Sequence, residues 1–125
     1  MAKIMIIEDD SLLIKMYQTK FQLEGYEMMT ATDGEQGLKL LKADKPDFLI
    51  LDMMMPKLSG LELLAIIRND PGLKDLPVFM LSNMSQPSEM EKAKALGVVE
   101  FVLKSSLTPR QVVDKVRKYL RKTGN

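Results

Sequence analysis

The chain of 125 residues contains no cysteine, no histidine and no tryptophan. Without cysteine there is no disulfide and no thiolate chemistry, which fits a cytoplasmic setting. Without histidine the chain itself cannot form a Ser-His-Asp triad, a histidine metal site or a histidine phospho-carrier. No apolar stretch reaches membrane-spanning length. Met1-Ala2-Lys3 leads into a strand pattern with neither the apolar length nor the cleavage site of a signal peptide. An excess of one charge is also missing: 18 basic residues face 17 acidic ones, which argues against direct nucleic-acid binding. Any chemistry must therefore rest on carboxylates, lysines and hydroxyls. The length suits one domain with a full core, expected to run over residues 1–125 with no effector domain after Asn125.

What is present is organised around Phe48-Leu49-Ile50-Leu51-Asp52. Its apolar run has no alternation, so it reads as a strand buried on both faces of a parallel sheet. A buried strand tolerates Asp52 only at its carboxyl end, facing a crevice or a partner. Met53-Met54-Met55-Pro56 ends the strand, and Lys57-Leu58-Ser59-Gly60 turns into a helix reaching about Arg68.

The same reading extends along the chain. Lys3 to Ile7 is a buried strand that ends on Glu8-Asp9-Asp10, and Ser11 opens a helix with Leu12, Leu13, Met16, Tyr17, Phe21 and Leu23 near helical spacing. Gly25 closes that helix in the left-handed conformation. Tyr26 to Ala31 is a more polar strand nearer the sheet edge, and Asp33-Gly34 starts a helix that cannot continue through Pro46. Pro77 to Leu81 is a further buried strand ending on Ser82-Asn83, followed by a weaker helix from about Pro87 to Leu96 with Gly97 as its stop. Glu100 to Leu103 is the last strand and ends on Lys104. Thr108-Pro109-Arg110-Gln111 is a capping-box start for a final helix. That helix turns Val112, Val113, Val116, Tyr119 and Leu120 inward, and its basic outer face reads as a solvated helix end. Five strands alternating with five helices imply right-handed crossovers, a parallel sheet and helices on both faces.

In a parallel sheet the strand ends share one edge, so Glu8, Asp9, Asp10, Asp52, Ser82 and Lys104 converge there. Crowded carboxylates must protonate or recruit a cation, and a hard divalent ion with oxygen ligands, Mg²⁺ foremost, suits them. A lysine and a hydroxyl opposite the metal suit a phosphoryl group, to whose oxygens both donate.

The motifs Ile6-Ile7-Glu8-Asp9-Asp10, Leu51-Asp52-Met53-Met54-Met55-Pro56 with Gly60, Leu81-Ser82 and Phe101-Val102-Leu103-Lys104 together resemble the receiver domain of two-component response regulators, the CheY-like family. The resemblance covers essentially the whole chain. It implies a three-layer, doubly wound (βα)5 flavodoxin-like α/β fold; its strand order 2-1-3-4-5 belongs to the family and not to the pattern. It implies further that Asp52 accepts a phosphoryl group from the phosphohistidine of a sensor kinase or phosphotransfer protein. By the same resemblance Asp9, Asp52 and the Met54 backbone carbonyl hold Mg²⁺ directly and Glu8 holds it through water, while Asp10 falls outside the acidic pair and caps the first helix. Ser82 resembles the hydroxyl, and Lys104 the ammonium, that bind the phosphoryl oxygens. Phe101 stands where the family has an aromatic that turns inward on phosphorylation.

The expected protein is thus a stand-alone, cytoplasmic signalling domain and no enzyme beyond its own phosphoryl transfer and dephosphorylation. It would be a monomer or a phosphorylation-linked dimer, docking a downstream target by its fourth helix, last strand and last helix. The eleven methionines are expected mainly to fill the core.

Ser82 replaces the family's commoner threonine, Asn83 follows where a very small residue is common, and Ser105 follows Lys104 where proline is usual. A cis peptide before a non-proline residue costs roughly 2.5–4 kcal/mol against about 0.5–1 before proline, so Lys104–Ser105 is expected trans. Three rivals remain. A flavin-binding flavodoxin-like protein would need a Ser/Thr-rich phosphate loop where Glu8-Asp9-Asp10 stands. An aspartyl phosphatase would need an acid where Met54 stands. A degenerate receiver acting only as a docking module would not need Asp9, Asp52 and Lys104 intact.

Overall fold

The structure is a computed structural model that describes residues 2–84 and 86–123. The expectation attached to Asn125 lies outside the described residues. Strands β1 (Lys3–Ile7), β2 (Glu27–Ala31), β3 (Phe48–Asp52), β4 (Val78–Ser82) and β5 (Glu100–Leu103) alternate with helices α1 (Ser11–Leu23), α2 (Gly34–Ala43), α3 (Gly60–Asn69), α4 (Pro87–Ala95) and α5 (Pro109–Lys122). The strands form one parallel sheet in the order β2-β1-β3-β4-β5.

Because side chains alternate along a strand, each central strand feeds two cores at once. Ile4, Ile6, Phe48, Ile50, Phe79 and Leu81 face the side covered by α1 and α5, where they meet Tyr17, Phe21, Val113 and Val116. Met5, Ile7, Leu49, Leu51, Val78 and Met80 face the opposite side, against Leu41 of α2 and Leu63, Leu64 and Ile67 of α3. This double burial is why β3 and β4 read as unbroken apolar runs, every residue of both being buried. The outer position of β2 matches its partly exposed side chains.

The local signals are met where they were placed. Asp10 caps α1, its side chain accepting from the Leu12 and Leu13 amides. Asp33 caps α2, and Thr108 with Gln111 forms the capping box of α5. Gly25 and Gly97 take positive φ, 90° and 74°, after α1 and α4. Among the described residues no peptide bond is cis.

One helix face differs from expectation. α1 buries Ile14, Tyr17 and Phe21, while Leu12 and Leu23 are 68% and 74% exposed and Met16 also faces water. Spacing of three and four from Ile14 sets the buried stripe, and the other apolar residues lie around the helix from it. The methionines divide likewise: Met5, Met53 and Met80 are core, whereas Met54 and Met84 are 59% and 54% exposed.

Gly60 locks the loop after β3. A Cβ there would stand 2.2 Å from the Asp52 carbonyl oxygen and 2.8 Å from the Met53 Cα, so only glycine allows α3 to start this close to the strand end. Its amide donates to the Met53 carbonyl at 2.8 Å.

Candidate functional site

The carboxyl ends of β1, β3, β4 and β5 meet at one edge because all are parallel and adjacent. Cross-strand bonds continue past them: the Met53 amide donates to the Leu81 carbonyl and the Lys104 amide to the Ser82 carbonyl, both at 2.8 Å. The side chains at these positions are thereby brought together on a rigid frame.

Asp52, only 2% exposed, and the fully buried Glu8 sit inside this edge, with Asp9 on its solvent side. One carboxylate oxygen from each of Glu8, Asp9 and Asp52 lies within 4.8 Å of the others. The Lys104 ammonium reaches between the two buried acids, 2.7 Å from Glu8 Oε1 and 3.2 Å from Asp52 Oδ1. The Asp10 amide donates to Glu8 Oε2 at 3.1 Å and the Met54 amide to Asp52 Oδ1 at 3.3 Å.

These partners do not satisfy the site. Asp52 Oδ2 and Glu8 Oε1 are buried without a hydrogen bond; the Lys104–Glu8 contact is close but not aligned as one. Two buried carboxylates therefore share one ammonium. Burial, then the neighbouring Glu8 charge, pushes the Asp52 carboxyl up from 3.8 to about 7 against the opposing pull of Lys104. Burial disfavours the Lys104 ammonium, but its close contacts with the Glu8 and Asp52 carboxylates outweigh it and raise its pKa. The phenol of Tyr17, assigned from sequence only to the helix face, is pushed up to about 12 by burial and by the Glu8 charge.

A cluster of oxygen donors with two orphaned buried oxygens fits a hard divalent cation, which would supply the missing partners. Glu8, Asp9, Asp52 and Lys104 are thus brought together as the strand ends predict. Ser82 is buried at the same edge, but its hydroxyl is engaged elsewhere: Oγ donates to the Met84 carbonyl at 2.7 Å and accepts from the Met84 amide at 3.2 Å. Phe101 is half-buried and packs against the core on the α3 side of the sheet.

The family model for the response regulator receiver domain matches residues 4–117. The chain belongs to this family. The receiver is 34% identical to the probable transcriptional regulator ycf27 of Guillardia theta, over 98% of this chain and 46% of that protein. It is 31% identical to the alkaline phosphatase synthesis transcriptional regulatory protein PhoP of Bacillus subtilis, over 97% of this chain and 49% of that one. The receiver spans about half the length of these curated relatives. Among solved structures it is similar to chemotaxis protein CheY4 of Vibrio cholerae, with a TM-score of 0.86 and 27% identity, covering 94% of this chain and 98% of that one. No described helix is long and apolar enough to cross a membrane.

Proposed function

We propose that Asp52 of this receiver accepts a phosphoryl group from the phosphohistidine of a sensor kinase or phosphotransfer protein, and that the modified edge signals by moving the segment after β4. The observation that carries this is the buried, unpartnered Asp52 Oδ2 beside the Lys104 ammonium and two further acids. An Asp52 oxygen would attack the phosphorus in line as the phosphorus–nitrogen bond breaks, the leaving imidazole keeping the electron pair. Such a transfer needs positioning and charge neutralisation more than a base.

Glu8, Asp9, Asp52 and the Met54 carbonyl would hold Mg²⁺, which when bound supplies neutralising charge for the phosphoryl oxygens. Lys104, already 3.2 Å from Asp52 Oδ1, would pair with one phosphoryl oxygen. Ser82 could donate to another only by giving up the Met84 carbonyl, which links the chemistry to the β4–α4 segment. Phe101 on the neighbouring strand would follow that movement, the general form of a phosphorylation switch.

In this reading the protein is no enzyme beyond its own phosphorylation and dephosphorylation, and it works where cytoplasmic kinases reach it. Its output would be a partner docked on α4, β5 and α5, or a phosphorylation-linked dimer. Because the named relatives are transcriptional regulators about twice as long, stand-alone action is itself part of the proposal.

The test is incubation with acetyl phosphate and Mg²⁺, read by intact mass. One phosphoryl group should be gained by the wild type and none by Asp52→Asn. Equal labelling of the variant would overturn the assignment.

A further inference from the structure

We propose that Arg68 pins the carboxyl end of α4, so that the end beside Ser82 is the one free to move. Arg68 lies in the last turn of α3 and belongs to none of the motifs above. Its Nε donates to the Leu96 carbonyl at 2.6 Å and its Nη2 to the Gly97 carbonyl at 3.2 Å. Its Nη1 donates to the Leu76 and Lys74 carbonyls at 2.7 and 3.1 Å. The rigid fork thus binds two separate segments at once: the loop leading into β4 and the turn between α4 and β5.

Leu96 is the C-cap residue of α4, one of the positions whose carbonyls a helix end leaves without partners. A cation there also complements the negative end of the helix dipole. Arg68 therefore caps α4 from a different helix. At the other end Gln86 makes no side-chain cap bond, and along its length α4 buries only Ala93. Little burial and no cap leave the amino end weakly held, whereas charge-assisted bonds hold the carboxyl end. Arg68 is a positioning residue: it acts on α4 and touches neither Asp52 nor Lys104.

The pinning itself stands apart from phosphorylation; only its role in signalling rests on the reading of Asp52. Native-state hydrogen exchange on the full chain tests both. In the wild type the Leu96, Gly97 and Val98 amides, all hydrogen-bonded, should exchange about tenfold more slowly than those of Glu89 and Met90, bonded to Gln86. Arg68→Met, which keeps the stem and loses the fork, should erase that gradient while Ile6 and Ile50 in the core stay protected. Arg68→Lys should restore part of it. A wild type without the gradient, or a folded Arg68→Met that keeps it, would overturn the proposal. If Arg68→Met does not fold, an unchanged gradient in Arg68→Lys would overturn it too, and a reduced one would support it. With beryllofluoride and Mg²⁺ added, faster exchange should be confined to residues from Met84 to Ala93 in the wild type and reach Gly97 in Arg68→Met. No response to beryllofluoride at all would count against the Asp52 reading, while the gradient still decides the role of Arg68.

Discussion

The two helices that flank β5 are built to opposite standards. α5 starts with a complete capping box and buries Val112, Val113, Val116 and Leu120, where they join the sheet core with Phe48 and Phe79. α4 starts without a side-chain cap and buries Ala93 alone. The edge beside α4 shares its incompleteness, with two orphaned carboxylate oxygens and a Ser82 hydroxyl occupied by its own loop. Under the proposed function, the contrast separates scaffold from switch. Where the groups are satisfied, substitution should cost stability; where they are not, some substitutions should add it.

The largest expected effect is on the scaffold side. Leu120→Ala should lower unfolding free energy by about 2–4 kcal/mol, the usual cost of emptying a buried leucine site. Lys92→Ala on α4, an exposed position, should change it by no more than about 0.5 kcal/mol. Urea unfolding of both variants checks the pair, and similar losses would remove the distinction.

The next effect has the opposite sign. Asp52→Asn should stabilise the metal-free protein at pH 8 by about 1–3 kcal/mol, because it removes a buried charge that the neighbouring Glu8 repels and whose Oδ2 has no hydrogen-bond partner. In the fold the Asp52 carboxyl holds its proton to about pH 7, against 3.8 for a solvated aspartate. A raised carboxyl pKa contributes stability that is full below the unfolded value and lost as pH rises through the folded one. The wild type should therefore lose stability from about pH 4 to about pH 7, and the gain from Asp52→Asn should shrink over the same window on acidification. Chelator-treated samples unfolded by urea across this range provide the check; a pH-independent difference would contradict the shift.

The smallest effect sharpens the contrast between the helix starts. Thr108→Ala should cost about 1 kcal/mol by removing a working cap, and Gln86→Ser should add up to about 1 kcal/mol by supplying one to α4. Gln86 already has the extended backbone of a cap residue, with φ −87° and ψ 124°. Thermal unfolding of the two variants should shift in opposite directions.

Much of the scaffold was legible in the sequence. Buried parallel strands carry unbroken apolar runs, so an acid or lysine that ends one marks the edge of the sheet, and Glu8, Asp52 and Lys104 are such residues. Caps were legible because Asp10, Asp33 and Thr108 bond amides only two or three residues away. The face of α1 was not, since apolar residues surround that helix and periodicity alone does not choose between Ile14 and Leu12. Arg68 was invisible because its partners are main-chain carbonyls up to 29 residues away, which leave no trace in side-chain identity. The Ser82–Met84 bonds depend on loop geometry in the same way.

Under the proposed function, a phosphoryl group on Asp52 moves α4 and leaves α5 in place. Backbone amide NMR of the Mg²⁺-loaded protein, before and after beryllofluoride, tests it most directly. Large shift changes are predicted at Asn83, Met84, α4 and Phe101, with Val113 to Leu120 of α5 nearly unmoved and no response in Asp52→Asn. Equal changes in α4 and α5, or the same response in Asp52→Asn, would rule out such a movement.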